Sequence, residues 1–205
     1  MTNVLADLAV ESEAATALAM RLAHAVDAGE DAFRRLATAV GKYWVCKRAP
    51  VVVGEALECL GGNGYVEESG LPRLYREAPL NSIWEGSGNV NALDVLRAVA
   101  REPETVGAFT AEVAAARGAD NRLDAAADRL AKDLTTADES SARRLVESMA
   151  LALQGSLLVR YAPASVADAF CASRLGEEGH RLALGTLPGG LDTRSLVERA
   201  TPARP

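Results

Sequence analysis

Apolar residues open the chain at alternating steps of three and four: Leu5, Leu8, Ala15, Ala19, Leu22 and Val26, with Asp7, Glu11 and Glu13 between them. That is the period of one helix face, and it predicts a helix over 4–28 that stops near Gly29. A second helix is predicted from Asp31, a residue type that caps helices, to Leu60, with Tyr43, Trp44, Val52, Val53, Ala56 and Leu57 apolar and Gly61-Gly62 at its end. Pro50 lies inside it; proline lacks an amide hydrogen and crowds the preceding turn, so the expectation is a continuous helix with a kink. From Gly61 to Gly88 the sequence is dense in Gly, Asn, Pro and Ser. It reads as loop with a short helix near Leu74, followed by a third helix over 89–101. Irregular stretches of this kind are where chemistry concentrates.

After Glu102-Pro103 the chain turns alanine-rich and charge-laced, with helices expected over 104–117, 120–134, 138–161 and 165–175. Gly118 and Gly176 are expected stops, and Ser165 with Asp168 makes an S-x-x-D start signal. Beyond His180, Leu187-Pro188-Gly189-Gly190 reads as a loop before a short terminal helix and the closing Thr201-Pro202-Ala203-Arg204-Pro205. The reading is all-α, with a first unit over 1–101 and a helical extension over 102–205.

Composition narrows the class. The 205 residues are 49% hydrophobic and 24% charged, a globular balance that argues against disordered and fibrous classes, while aromatics are only 4% and Ala and Leu recur, a bias that suits helices. Met149–Leu158 is the longest apolar run, interrupted by Gln154, Gly155 and Ser156, and falls short of the roughly 20 residues that span a bilayer. Met1-Thr2-Asn3 enters an amphipathic segment rather than a basic stretch and apolar core, so no secretory signal is expected and the cytoplasm is the default. Cys46, Cys59 and Cys171 are isolated, and His24 and His180 lie far apart, so neither a metal site nor a disulfide is expected.

Between residues 58 and 94 stand two glycine-rich turns, Gly61-Gly62-Asn63-Gly64 and Gly86-Ser87-Gly88, each adjoining a predicted helix end. Glycine lets backbone approach a ligand closely, yet neither turn completes a G-x-G-x-x-G or P-loop pattern, and taken alone they read as ordinary caps. Glu85 follows Ile83 and Trp84 and precedes Gly86. Two readings stay open for it: a surface or cap residue, or a partly dry carboxylate within reach of a substrate, which is the setting of a general base.

The combination G-G-N-G-Y at 61–65, L-x-R-L-Y-R-E at 71–77 and I-W-E-G-S-G-N at 83–89 is specific. Through it, Lys42 to Arg97 resembles the carboxyl-terminal domain of acyl-CoA dehydrogenases, and the likeness extends over about residues 4–101. E-C-L-G-G-N-G-Y-V-E-E-S with N-S-I-W-E-G-S-G-N-V resembles the DNA alkylation-response (AidB-type) branch of that family. The resemblance implies a flavin-dependent oxidoreductase in which Glu85 removes the α-proton of an acyl-CoA thioester while hydride leaves the β-carbon for FAD. It also implies that Ser87 and Asn89 contact the flavin, that Gly61, Gly62 and Gly64 contact the adenosine diphosphate part of a neighbouring subunit's flavin, and that Trp84 and Gly86 line the substrate. Glu58 stands where many members have glutamine, a departure at a dinucleotide-contacting position. Arg73, Tyr75 and Arg76 are expected to order the loop through ion pairs and backbone bonds.

Only the bundle from its second helix onward is matched, so the chain is expected to be too short for the whole enzyme and to retain flavin weakly or not at all. Lacking one bundle helix, the helices at 4–28 and 31–60 keep an apolar face that the second half, self-association or a partner must cover. Homo-oligomers, usually tetramers, are the family's habit. The branch also has a DNA-implicated helical extension, but the formal charge is −6, and residues 101–205 hold 13 Lys+Arg against 15 Asp+Glu. Phosphate binding therefore needs a local patch, for which Arg117, Arg122, Arg129 and Arg143 are the candidates; without it, this half is a structural bundle with charged solvent faces, and the runner-up function is a non-catalytic DNA-protection or interaction module.

Overall fold

The computed structural model describes residues 1–176 and 190–201; His180, Leu187–Gly189 and the four closing residues fall outside them. The described residues are helical throughout, as expected. Helix α1 spans Thr2–Asp27 and α2 spans Asp31–Cys59, unbroken through Pro50. Two short helices, α3 (Gly62–Tyr65) and α4 (Leu71–Glu77), alternate with 3₁₀ turns at Glu67–Ser69 and Ala78–Ser82. The stretch read as loop is thus mostly wound into single helical turns. Then come α5 (Gly88–Arg101), α6 (Pro103–Ala114), α7 (Asn121–Thr136), α8 (Ala142–Tyr161), α9 (Ala164–Phe170), which runs on as a π turn over Cys171–Leu175, and α10 (Thr193–Ala200).

Two cap expectations are corrected. Glu30, not Asp31, precedes the first turn of α2 and no side chain caps it; Asp31 sits inside that turn and pairs with Arg34 at 2.8 Å. Ser165 does not start α9, because Pro163 already fixes the chain for a helix that begins at Ala164; Asp168 instead accepts from Arg122 at 2.7 Å. Asp120 is a side-chain cap, accepting from the amides of Arg122 and Leu123 at the start of α7.

The core is organised around α8. Every residue from Met149 to Leu158 is buried, so the longest apolar run of the sequence is a helix covered on all sides. It packs against α1, α2, α5, α6, α7 and α9. Leu145, Met149, Leu153 and Leu157 meet Leu18, Phe33, Leu36 and Val40 from the first two helices and Ala92, Val95, Phe109 and Val113 from α5 and α6. Leu151 and Leu158 join a second cluster with Ala6, Val10 and Ala14 of α1, Val166 and Phe170 of α9, and Leu196 of α10. The second half of the chain therefore covers apolar face of the first two helices.

Charge reinforces the same seam. Glu112 of α6 receives Arg21 of α1 at 2.8 Å and also Arg160 of α8. Arg174 reaches Asp7 at 2.5 Å and Glu11 at 3.0 Å, and Arg48 of α2 reaches Glu11 at 2.9 Å.

Candidate functional site

The turn Trp84–Ser87 joins the 3₁₀ turn at Ala78–Ser82 to α5. Glu85 has φ +53° and Gly86 φ +95°, so a non-glycine residue is held in the left-handed region, which costs an L-residue about 1–2 kcal/mol. Two side chains hold the turn. Lys42 of α2 donates to the carbonyl of Trp84 at 2.7 Å and to that of Gly86 at 2.5 Å. Asn91 of α5 donates to the carbonyls of Gly86 at 2.7 Å and Ser87 at 3.1 Å. A Cβ on Gly88 would meet Lys47 Cε at 2.5 Å, so this glycine lets α5 start close against α2.

Glu85 is exposed, as in the surface alternative of its two readings and not the partly dry one, because Ile83 and Trp84 are themselves 62% and 55% exposed and no described element closes over them. The side chains of Ser87 and Asn89 are also exposed and make no hydrogen bond among the described residues. Glu85 likewise forms no ion pair there. The turn and the first residues of α5 thus offer one free carboxylate, one free hydroxyl and one free amide, all exposed.

The other glycine turn behaves differently from residue to residue. Gly61, φ +57°, and Gly62 are exposed, and a Cβ on either would meet nothing within 4 Å. Gly64 is buried against α2, where a Cβ would lie 2.1 Å from the carbonyl oxygen of Leu57. Gly61 borders a groove of about 940 Å³ lined by Gly54, Leu57, Glu58, Tyr65 and Tyr75. The expected ion pairs are present beside it: Arg76 forms a two-pronged pair with Glu67 at 2.8 and 3.0 Å and Arg73 pairs with Glu77 at 3.1 Å, whereas the expected backbone bonds from these side chains are not found among the described residues; the Tyr75 ring stands 3.3 Å from where a Cβ of Gly54 would be. Ten of the large apolar residues exposed among the described residues lie between Val51 and Val90.

Both turns are anchored on α2, one at Lys42 and the other at Leu57. Fifteen residues of helix separate these anchors, about 22 Å at 1.5 Å per residue. A small reacting group at Glu85 is therefore far from Gly61 and Gly62 of the same chain.

The four arginines that were candidates for a phosphate patch are engaged internally. Arg117 pairs with Asp128 at 2.7 Å, Arg122 with Asp120 and Asp168, Arg129 donates to the Leu175 carbonyl, and Arg143 donates to the Tyr43 hydroxyl at 3.2 Å. Among the described residues no group of His, Cys, Asp and Glu is placed to hold a metal, and no helix is long and apolar enough to cross a membrane.

The family model for the acyl-CoA dehydrogenase C-terminal domain matches residues 1–100. Residues 1–100 form an acyl-CoA dehydrogenase carboxyl-terminal domain. Similarity runs beyond that dehydrogenase domain: the chain is 40% identical over 183 residues to the putative acyl-CoA dehydrogenase AidB of Escherichia coli, covering 87% of this chain and 34% of that protein. It is 33% identical over 162 residues to acyl-CoA dehydrogenase family member 11 of Caenorhabditis elegans, covering 75% of this chain and 26% of that protein. The crystal structure of C. elegans ACDH-11 in complex with C11-CoA superposes with a TM-score of 0.71 at 30% identity, covering 81% of this chain and 34% of that one. The chain thus spans between about a quarter and a third of the length of these relatives.

Within the dehydrogenase domain, Lys42, Asn91 and the Leu57 carbonyl are structural determinants of the site that motif reading did not single out. Lys42 carries a signal in hindsight, as a cation set between Gly41 and Tyr43 on the buried side of α2.

Proposed function

We propose that this chain is the carboxyl-terminal part of a flavin-dependent dehydrogenase that oxidises an acyl-CoA thioester across its α and β carbons. The observation that carries the reading is the clamped Trp84–Ser87 turn, with an unpaired Glu85 carboxylate in a left-handed backbone beside the free side chains of Ser87 and Asn89. The glycine turns fit a dinucleotide: Gly61 and Gly62 are open where a ligand could press against backbone, and Gly64 fixes the turn they belong to. Bound flavin supplies the hydride acceptor. The Glu85 carboxylate takes the α-proton and becomes a neutral acid, and the electrons left on the α-carbon form the double bond as hydride departs from the β-carbon. Trp84 and Gly86 would line the thioester, and Ser87 and Asn89 would hold the flavin.

The distance between the two turns supports an assembly. A chain whose two turns are anchored about 22 Å apart along α2, at Lys42 and at Leu57, serves one flavin with Glu85 and a neighbouring subunit's flavin with the glycine turn, and the exposed apolar surface between Val51 and Val90 fits burial in a homo-oligomer. In this reading residues 1–101 are the catalytic bundle domain and 102–205 the extension that completes its core. A DNA-binding role for the extension has less support, because Arg117, Arg122, Arg129 and Arg143 are each engaged within the chain.

The test is to load the full-length protein with FAD, add acyl-CoA thioesters of graded chain length without oxygen, and follow loss of the yellow flavin absorbance. Bleaching by at least one thioester with formation of the α,β-unsaturated product is expected; retention of FAD with no bleaching by any thioester would remove the dehydrogenase assignment.

A further inference from the structure

Glu85 occupies an unfavourable backbone region, yet nothing in its own segment explains why it stays there. Neither its side chain nor a described neighbour pairs with its carboxylate. The explanation lies 43 residues earlier. The Lys42 ammonium donates to the carbonyls of Trp84 and Gly86 at 2.7 and 2.5 Å, the residues immediately before and after Glu85. The Trp84 carbonyl belongs to the peptide that enters Glu85 and the Gly86 carbonyl to the peptide that leaves Gly86, so the two charge-assisted bonds pin the turn at both ends of the Glu85–Gly86 pair and restrain the backbone between them. Asn91 binds the Gly86 and Ser87 carbonyls from the other end of the turn.

The lysine is itself held rigidly. Val40, Gly41 and Tyr43 around it are buried, and a Cβ on Gly41 would meet Leu22 at 3.0 Å, so this part of α2 is packed tightly against α1. Both ammonium contacts are to backbone, which leaves the cation unpaired with the Glu85 carboxylate and the carboxylate free to accept a proton.

We propose that Lys42 is a positioning residue for Glu85: by binding the carbonyls on either side, it holds the carboxylate in the orientation from which the α-proton is taken. The inference rests on the dehydrogenase reading above, and it concerns a lysine whose ammonium is bonded to backbone carbonyls.

The experiment compares Lys42→Met and Lys42→Arg with wild type in the FAD-loaded full-length protein, with amide hydrogen exchange over residues 83–92 measured alongside. Misorientation of a reacting group by about 1 Å costs on the order of 100-fold in rate, so Lys42→Met is expected to lose about that much in kcat with KM for the thioester within about threefold. Lys42→Arg, which keeps two donors on a long stem, is expected to recover most of the loss, and exchange at the turn is expected to rise in the methionine variant while α1 and α8 stay protected. Wild-type kcat in Lys42→Met, or unchanged exchange at the turn, overturns the proposal. A wild-type protein that bleaches with no thioester refutes the dehydrogenase reading instead, and is seen before any variant is compared.

Discussion

A Cβ placed on Gly64 falls 2.1 Å from the carbonyl oxygen of Leu57, so the Gly61–Gly64 turn is seated on α2 by an approach that no other residue type permits. Gly64→Ala must push the turn off the helix, and overpacking of that kind costs about 1–3 kcal/mol. Gly62, where a Cβ meets nothing within 4 Å, is the control: Gly62→Ala is expected to stay within about 0.5 kcal/mol of wild type while lowering FAD affinity in the full-length protein. Urea denaturation separates the two variants, and equal losses of stability would mean that Gly64 has no special packing role.

Glu85 gives a stability prediction of opposite sign. Glu85→Gly relieves a left-handed glutamate and is expected to raise stability by about 1 kcal/mol, whereas Glu85→Gln keeps the backbone and leaves stability unchanged. Thermal unfolding of the two variants side by side checks this, and a glycine variant less stable than wild type would show that the φ of +53° carries no strain.

The carboxylates that join the two halves set an acid limit. Burial pushes Glu11 up, but the bond and charge of Arg48 and then the charge and bond of Arg174 outweigh it, so its carboxyl lies below the ordinary value of 4.5. Glu112 is shifted the same way: burial raises it, and the bonds of Arg21 and Arg160 outweigh that. A carboxyl depressed in the folded state contributes stability that is present above the unfolded value and is lost as pH falls through the folded one. Stability is therefore expected to decline as pH drops below about 4.5, and Glu11→Gln to flatten that decline. Arg174→Met is expected to cost about 2 kcal/mol at neutral pH, less than the roughly 3–5 kcal/mol of a fully orphaned buried charge, because Arg48 still faces Glu11. A pH series of denaturation midpoints decides both.

Cys171 is buried in the α9 turn, and burial pushes its thiol up to about 12. Reaction with a thiol reagent needs the thiolate, so Cys171 is expected to label only when the α8–α9 core opens, while Cys46 and Cys59, both half-buried, label earlier. Mass spectrometry of timed alkylation resolves the three, and early labelling of Cys171 would contradict the packing described for the second cluster.

Much of this fold was legible because helix faces repeat every three or four residues, as in α1 and α2, whereas α8, covered on all sides along Met149–Leu158, was legible from its composition instead. The cap signals at Asp31 and Ser165 were weaker guides: Glu30 and Pro163 set the first turns, and Asp168 was drawn to Arg122 across the structure. The motif residues of the site were legible as residue types. Their support was not, since Lys42 acts on carbonyls more than 40 residues away and Leu57 acts through its own carbonyl, and backbone oxygens leave no trace in a sequence. That Glu85 lies open, and that the two glycine turns are far apart along α2, likewise became visible only once the chain was folded.

The most direct test of the account is flavin reduction in Glu85→Gln. In the FAD-loaded full-length protein, mixed without oxygen with a thioester that bleaches wild type, the variant is expected to keep its FAD and bind the thioester with little change, yet to bleach at least 100-fold more slowly, within the 10²–10⁴ contribution of a general base. Bleaching at the wild-type rate would show that the α-proton is removed by another group and would contradict the role assigned to Glu85.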